Sequence, residues 1–251
     1  MSTEDWLLGP NAVAGQLDAD PSRILEAHLE DGTRNPRVLA LAERLRAEGI
    51  TVQRVPRGQM DKRTGSDRHQ GLAARWRTPE ALDEADLMAL VAHSEQPLLL
   101  VLDGVTDPHN LGACIRTAAA AGAIAVVVPK DRAVGLTPVV LRASAGMAAR
   151  VPLARVTNLA RVLEKLKEAG VWIAGAAGEG KQELYASDLR GALAIVMGSE
   201  GEGMRELTRK RCDYLIRIPI AEGVESLNVS VAAGVFLFEV VRQRRHGAPL
   251  T

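Results

Sequence analysis

The stretch Asp103–Ala123, DGVTDPHNLGACIRTAAAAGA, follows the apolar run LLLVL and passes from a polar loop into an alanine-rich helix. Downstream, the strand-like runs AIAVVV, VPLARV, VWIAGA, LAIVMG and LIRIPI alternate with helical stretches. Continuous Val, Ile and Leu strands between helices predict an α/β region built on a parallel sheet covered on both faces. A polar loop at the end of such a strand lies where open α/β sheets hold their ligands. Yet this loop contains no Gly-rich phosphate fingerprint, no activated nucleophile and no cluster of metal ligands.

With 251 residues the chain is long enough for two modest domains. Hydrophobic residues make up 47% and charged residues 25%, an ordinary globular balance that argues against disorder or a fibrous class. Lys plus Arg equals Asp plus Glu at 31 each, so no global basic field advertises nucleic acid. Cys114 and Cys212 are far apart and outside any CxxC spacing, which fits packing residues in a reducing compartment. The start MSTEDWLLGP lacks the pattern of a secretory leader, and the apolar runs are too short to span a bilayer. A soluble cytoplasmic protein is expected.

Up to Trp76 short elements alternate: a helix near PNAVAGQL, a strand in ILEAHLE, a helix from Pro36 to Glu48, a strand in ITVQRVP, a basic turn-helix region and a strand in LAARW. In the Pro36 helix Val38, Leu41, Ala42 and Leu45 share one face. The stretch 77–96, with a Thr-Pro helix start at Thr78 and a proline directly after it at Pro97, is the expected linker, which sets domains at 1–76 and 97–251. A helix follows Asn158 with Leu159, Val162, Leu163 and Leu166 at helical spacing. The chain closes with SLNVSVAAGVFLFEVVRQRR, an apolar helix that must be buried against something large, such as a second subunit.

GAAGEGKQ, from Gly175 to Gln182, nearly spells a Walker A loop, but Gln182 occupies the position where a hydroxyl should bind magnesium. GSEGEGM, from Gly198, lacks the GxGxxG order of a dinucleotide fold. Neither HExxH nor GxSxG occurs, so zinc hydrolysis and serine-hydrolase chemistry lack their parts. Taken singly, Asn110 reads as a helix N-cap, Arg116 as a surface or ion-paired arginine, and Glu200 and Glu202 as solvated turn charges. Ser226 reads as another N-cap, with Asn228 an unexpected poor helix former in the first turn after it.

Together, LDGVTDPHNLGACIRTAAAAGA, IVMGSEGEGM and IPIAEGVESLNVSVAAGVFLFEV resemble the three signature motifs of the SpoU (TrmH) family of RNA ribose 2′-O-methyltransferases. The resemblance covers Pro97 to Arg245 and implies a trefoil-knotted SPOUT domain. GPNAV and HQGLAARW make the N-terminal unit similar to the ribosomal-protein-like (L30e-like) substrate RNA-binding domain of one branch, which methylates a guanosine in the peptidyl-tRNA-binding loop of 23S ribosomal RNA. The implied cofactor is S-adenosylmethionine, without a metal. By the resemblance, Gly198, Ile218 and Leu227, with Met197 and Ile220 beside them, hold the cofactor, and Arg116, Asn110, Glu200, Ser226 and Asn228 form the catalytic set. It also implies a homodimer with the cofactor loops at its interface.

Methyl transfer from a sulfonium needs in-line placement and a path for a weakly acidic hydroxyl proton rather than a covalent nucleophile. A guanidinium stays protonated in proteins, so Arg116 is assigned electrostatic work on a phosphate or an incipient alkoxide, with Glu200 orienting it. Arg54, Arg57, Lys62, Arg63 and Arg68 stand against only Asp61 and Asp67 and form either a candidate RNA-phosphate patch or a solvated basic loop, with His69 and Gln70 beside it placed equally well to touch RNA bases or to make a turn. The other functions carried forward are a methyltransferase for transfer RNA or another ribosomal RNA position, and a non-catalytic RNA-binding or ribosome-assembly protein.

Overall fold

A computed structural model describes residues 4–78 and 80–246. Residues 1–3 and 247–251, the outer ends of the two expected domains, and Pro79 lie outside the described residues. The chain divides into two compact units, one of Met1–Glu80 with Leu136–Arg150 and one of Ala81–Gly135 with Val151–Thr251.

The first unit opens with β1 (Glu4–Leu8), α1 (Pro10–Ala19), β2 (Ile24–Glu30), α2 (Pro36–Ala47), β3 (Val52–Val55), α3 (Arg57–Thr64) and β4 (Leu72–Arg77). Its sheet runs β1-β4-β2-β3, with β2 and β3 parallel and the other pairs antiparallel. Helix α2 starts where the Asn35 side chain accepts the Arg37 N–H and Pro36 fills the first turn, and it buries Val38, Leu41, Ala42 and Leu45 as the spacing predicts.

His28, on β2, is buried within this unit and stacks obliquely on Trp6. Its Nε2 lies 3.2 Å from Arg63 Nη1. A guanidinium only donates, so Nε2 accepts and the ring proton sits on Nδ1, which is buried without a hydrogen-bond partner among the described residues. Burial pulls the His28 pKa below its ordinary value, outweighing the opposing pull of Glu26, and Arg63 and Arg75 push it further down. The unfolded chain therefore takes up a proton near pH 6.5 that the folded chain resists, and stability falls as pH drops below that value. Thermal melts at pH 7.5 and 5.5 should show the acid sample melting lower, with the difference narrowed in His28→Gln.

The second unit continues with α4 (Glu84–Ala92), β5 (Leu98–Asp103), α5 (Pro108–Ala120) and β6 (Ala125–Pro129). The chain then supplies α6 (Pro138–Ala143) to the first unit and returns with β7 (Leu153–Val156), α7 (Leu159–Glu168), β8 (Trp172–Ala176), β9 (Gln182–Glu183), β10 (Leu193–Gly198), α8 (Glu206–Arg211), β11 (Tyr214–Arg217) and α9 (Val229–His246). All seven strands are parallel, in the order β7-β6-β5-β10-β8-β11-β9. Every residue of β5 is buried, as a central strand covered on both faces requires.

Two boundary expectations need correction. The stretch 77–96 is not a linker, because α4 buries Leu87 and Val91, four residues apart, in one apolar cluster with Leu99, Val127 and Leu163. That helix begins at Asp83, whose side chain accepts the Asp86 N–H while the Asp86 side chain accepts the Asp83 N–H, rather than at Thr78. Residues 136–150 belong to the first unit, where a Cβ on Gly146 would stand 3.1 Å from the Ala12 carbonyl oxygen.

Helix α9 packs along α5 and β10 and buries Phe236, Leu237 and Val240. Its outer side leaves Val231 53% and Phe238 48% exposed. Among the described residues no helix is long and apolar enough to cross a membrane.

Candidate active site

Strands β5 and β10 are neighbours in the sheet and end side by side at Asp103 and Gly198. Beyond Gly198 the chain turns back at once, with Ser199 N–H donating to the Gly203 carbonyl at 3.1 Å and Gly203 N–H to the Ser199 carbonyl at 3.0 Å. The turn uses left-handed backbone at Gly201 (φ +86°) and Gly203 (φ +69°), which glycine adopts without a Cβ penalty. It folds so closely over Gly198 that a Cβ there would stand 2.1 Å from the Gly203 carbonyl carbon. Glu200 occupies its tip.

The carboxylate of Glu200 gathers the other two turns. Its Oε1 accepts the Asn228 Nδ2–H at 2.6 Å, the Asn110 Nδ2–H at 3.2 Å and the Val229 backbone N–H at 3.3 Å. Asn228 Nδ2 also donates to Asn110 Oδ1 at 3.0 Å. Residues 90 and 118 positions apart in the chain thus close one hydrogen-bonded cluster on the carboxyl side of the sheet.

Asn110 is not an N-cap. Asp107 accepts the His109 N–H and Pro108 fills the first turn, so Asp107 caps α5 and leaves the Asn110 amide for Glu200. Ser226 is not the cap of α9 either; Asn228 Oδ1 accepts the Ser230 N–H at 2.9 Å immediately before that helix. Arg116 lies six residues beyond Asn110, about 120° around α5 from it. It is exposed and makes no hydrogen bond or ion pair among the described residues. Glu200 is therefore bonded to the two asparagines and does not orient Arg116 within the chain. Glu202 is exposed, in keeping with a solvated turn charge.

Beside the cluster opens a cleft of about 340 Å³. It is lined by Met197, Gly198, Ile218, Ile220 and Leu227, with Ser226, Phe236 and Glu200 at its walls. Strand β11 ends at Arg217, short of the expected LIRIPI run, and Ile218 and Ile220 face the cleft from the chain that follows. The near-Walker stretch supplies Ala176, Ala177 and Gly178 to the same cleft, while its Gly175 and Gly180 serve close packing. A Cβ on Gly180 would meet the Leu215 carbonyl oxygen at 2.7 Å.

Asp103 belongs to the site although no motif marks it beyond its place at the end of an apolar strand. Its fully buried carboxylate accepts the Arg205 N–H at 3.0 Å and Nε–H at 2.6 Å and pairs with Nη2 at 2.5 Å, fastening the end of the Gly198–Met204 turn to the end of β5. Burial pushes the Cys114 and Cys212 thiols up to about 12, so neither offers a thiolate at neutral pH.

In the first unit Arg54, Arg57, Lys62, Arg63 and Arg68 are all exposed along β3, α3 and the turn after it. Arg57 lies 3.8 Å from Glu30 and Arg63 rests on His28, whereas Arg54, Lys62 and Arg68 make no ion pair among the described residues. His69 is buried, 2.9 Å from Asp61, and accepts the Gly71 N–H, so it shapes the turn and is not available to an RNA base.

Residues 97–238 match the model of the SpoU rRNA Methylase family. This chain belongs to that family. Residues 6–82 match a second model, RNA 2′-O ribose methyltransferase substrate binding. Among curated SpoU relatives, the 23S rRNA (guanosine-2′-O-)-methyltransferase RlmB of Vibrio cholerae is 52% identical over 242 residues, covering 96% of this chain and 98% of the relative. The protein of the same name from Xylella fastidiosa is 52% identical over 240 residues, covering 95% and 96%. Among solved structures, an RNA 2′-O ribose methyltransferase superposes with a TM-score of 0.77 at 27% identity, covering 96% of this chain and 89% of the other. The SpoU methyltransferase AviRb from Streptomyces viridochromogenes, solved with AdoMet, shares the fold with a TM-score of 0.79 at 23% identity, covering 97% and 92%.

Proposed function

We propose that this protein transfers the methyl group of S-adenosylmethionine to the ribose 2′ oxygen of a guanosine in 23S ribosomal RNA. The observation that carries the reading is the junction of Asn110, Glu200 and Asn228 at the side of a mostly apolar cleft, in a chain about half identical, nearly end to end, to enzymes named for that reaction. The guanosine we assign lies in the peptidyl-tRNA-binding loop, and the protein works in the cytoplasm, where ribosomal RNA is made.

The cleft suits the cofactor by its own chemistry. Ile218, Ile220, Leu227 and Phe236 offer apolar walls to a purine, and the glycine-rich stretches at Gly178 and Gly198–Gly203 let backbone groups approach its polar edges. The bound donor supplies a methyl group already activated on a sulfonium.

The remaining steps are the protein's. Asn110 and Asn228 are held by Glu200 in fixed orientation, ready to position a ribose hydroxyl, and Ser226 lines the cleft next to them. Arg116 fixes the target phosphate and steadies the negative charge growing on the 2′ oxygen, while the hydroxyl proton passes to water.

We assign the catalytic unit a trefoil knot, in keeping with β10 inserted between β5 and β8 and with the chain passing β11 before α9 returns against α5. The first unit is read as an L30e-like domain that grips RNA phosphates through its exposed arginines. A homodimer would cover Val231 and Phe238 and bring a second chain to the unpartnered Arg116.

The test is direct. Ribosomal RNA from cells with and without the protein is mapped for 2′-O-methyl groups. One guanosine of 23S RNA should lose its mark in the deletion strain and regain it on complementation. An unchanged map would overturn the reading, and a lost mark on transfer RNA would redirect it.

A further inference from the structure

Beyond the reaction itself, the cleft carries a charge pattern that bears on turnover, and the following inference rests on the cofactor reading above. Among the described residues that line the cleft, Glu200 and Glu225 are the only ionisable ones, with no Lys, Arg or His between them. Glu200 is committed to two asparagine amides and a backbone N–H. Glu225 is exposed to the cleft and makes no hydrogen bond or ion pair among the described residues. A lining that carries carboxylates and no cation favours a positively charged occupant over a neutral one of the same shape.

The two ligands that must alternate in this cleft differ in that way. Methyl transfer breaks the S–CH3 bond, leaves its electron pair on sulfur and forms the O–CH3 bond on ribose, while the hydroxyl proton leaves to water. The ligand thereby loses one positive charge and little of its shape. We infer that Glu225 is a specificity-determining residue that makes the cleft prefer the sulfonium donor to its thioether product, so that the product leaves once the methyl group has gone. Apolar walls and backbone contacts hold both ligands alike, and the free carboxylate separates them.

Calorimetric titration of the full chain with S-adenosylmethionine and with S-adenosylhomocysteine tests this without any turnover. In Glu225→Gln the Kd for the donor should rise about two- to fivefold, the range of an exposed charge pair, while the Kd for the product stays put. Glu225→Asp should keep most of the wild-type ratio. In the wild-type protein added salt should weaken the donor more than the product, a readout that stands even if a variant fails to fold. A donor-to-product ratio unchanged by Glu225→Gln, whether both constants move together or neither moves, would overturn the inference, as would a wild-type ratio indifferent to salt. Wild-type protein that binds neither ligand would instead overturn the cofactor reading on which it rests.

Discussion

Arg116→Lys should bind S-adenosylmethionine as tightly as the wild-type protein and yet turn over about 10²–10³-fold more slowly, the loss seen when one preorganised donor to a developing oxyanion is removed. Arg116 does not line the cleft, so cofactor affinity has no reason to change. A lysine keeps the positive charge but offers a point contact where the guanidinium offers a planar fork, and a phosphate held at two points becomes free to swing. Single-turnover kinetics with saturating RNA separate the two effects, since a pure affinity defect would vanish at saturation and a positioning defect would persist. Turnover equal to wild type would remove Arg116 from the chemistry. A rate that rises with pH in the lysine variant but not in wild type would restore proton removal to the side chain at this position.

The second large effect is expected at Gly198. A Cβ at this position would lie 2.1 Å from the Gly203 carbonyl carbon and 2.2 Å from the Met204 nitrogen, both backbone atoms that no rotamer change can move aside. In Gly198→Ala the turn 199–203 must therefore lift away from the end of β10. It carries Glu200 with it, and with Glu200 the anchor of Asn110 and Asn228. Cofactor affinity should drop by more than about tenfold and methylation should fall below detection, because a displacement of about 1 Å in a positioning site already costs about 10²-fold in rate. The sheet core should survive, since Leu193–Met197 keep their partners on β5 and Leu193–Val196 theirs on β8. Calorimetry with S-adenosylmethionine and a thermal melt check the two halves of this expectation, and wild-type affinity in a folded variant would refute it.

Much of the fold is legible in the residues themselves. The apolar strands of the catalytic unit and the helices at Pro36 and after Asn158 follow from periodicity, capping residues and terminal glycines. What escapes is set by contacts distant in sequence. Strand β1 is five residues long and becomes a strand by pairing with β4, about seventy positions away. The two-residue β9 and the membership of 136–150 in the first unit depend likewise on remote partners. The stretch 77–96 reads as a linker from Pro79 near its start and Pro97 directly after it, although Leu87 and Val91 already carry the i, i+4 spacing of a core-facing helix.

The candidate site divides in the same way. Asp107 followed by Pro108 is the stronger helix-start signal, and it frees Asn110 from capping. That Asn110, Glu200 and Asn228 touch cannot be read from spacings of 90 and 28 residues and enters only through family resemblance. For His69 the residue types leave a base contact and a turn role equally open, and burial with the Gly71 N–H bond selects the turn.

The most direct test of the account is a crystal structure of the protein with S-adenosylmethionine. The adenosine should lie between Ile218 and Leu227, with the methyl carbon turned toward the Asn110–Glu200–Asn228 cluster, where a ribose oxygen held by the asparagines reaches it at about 3–3.5 Å. A donor bound elsewhere, or one whose methyl group points away from that cluster, would contradict it.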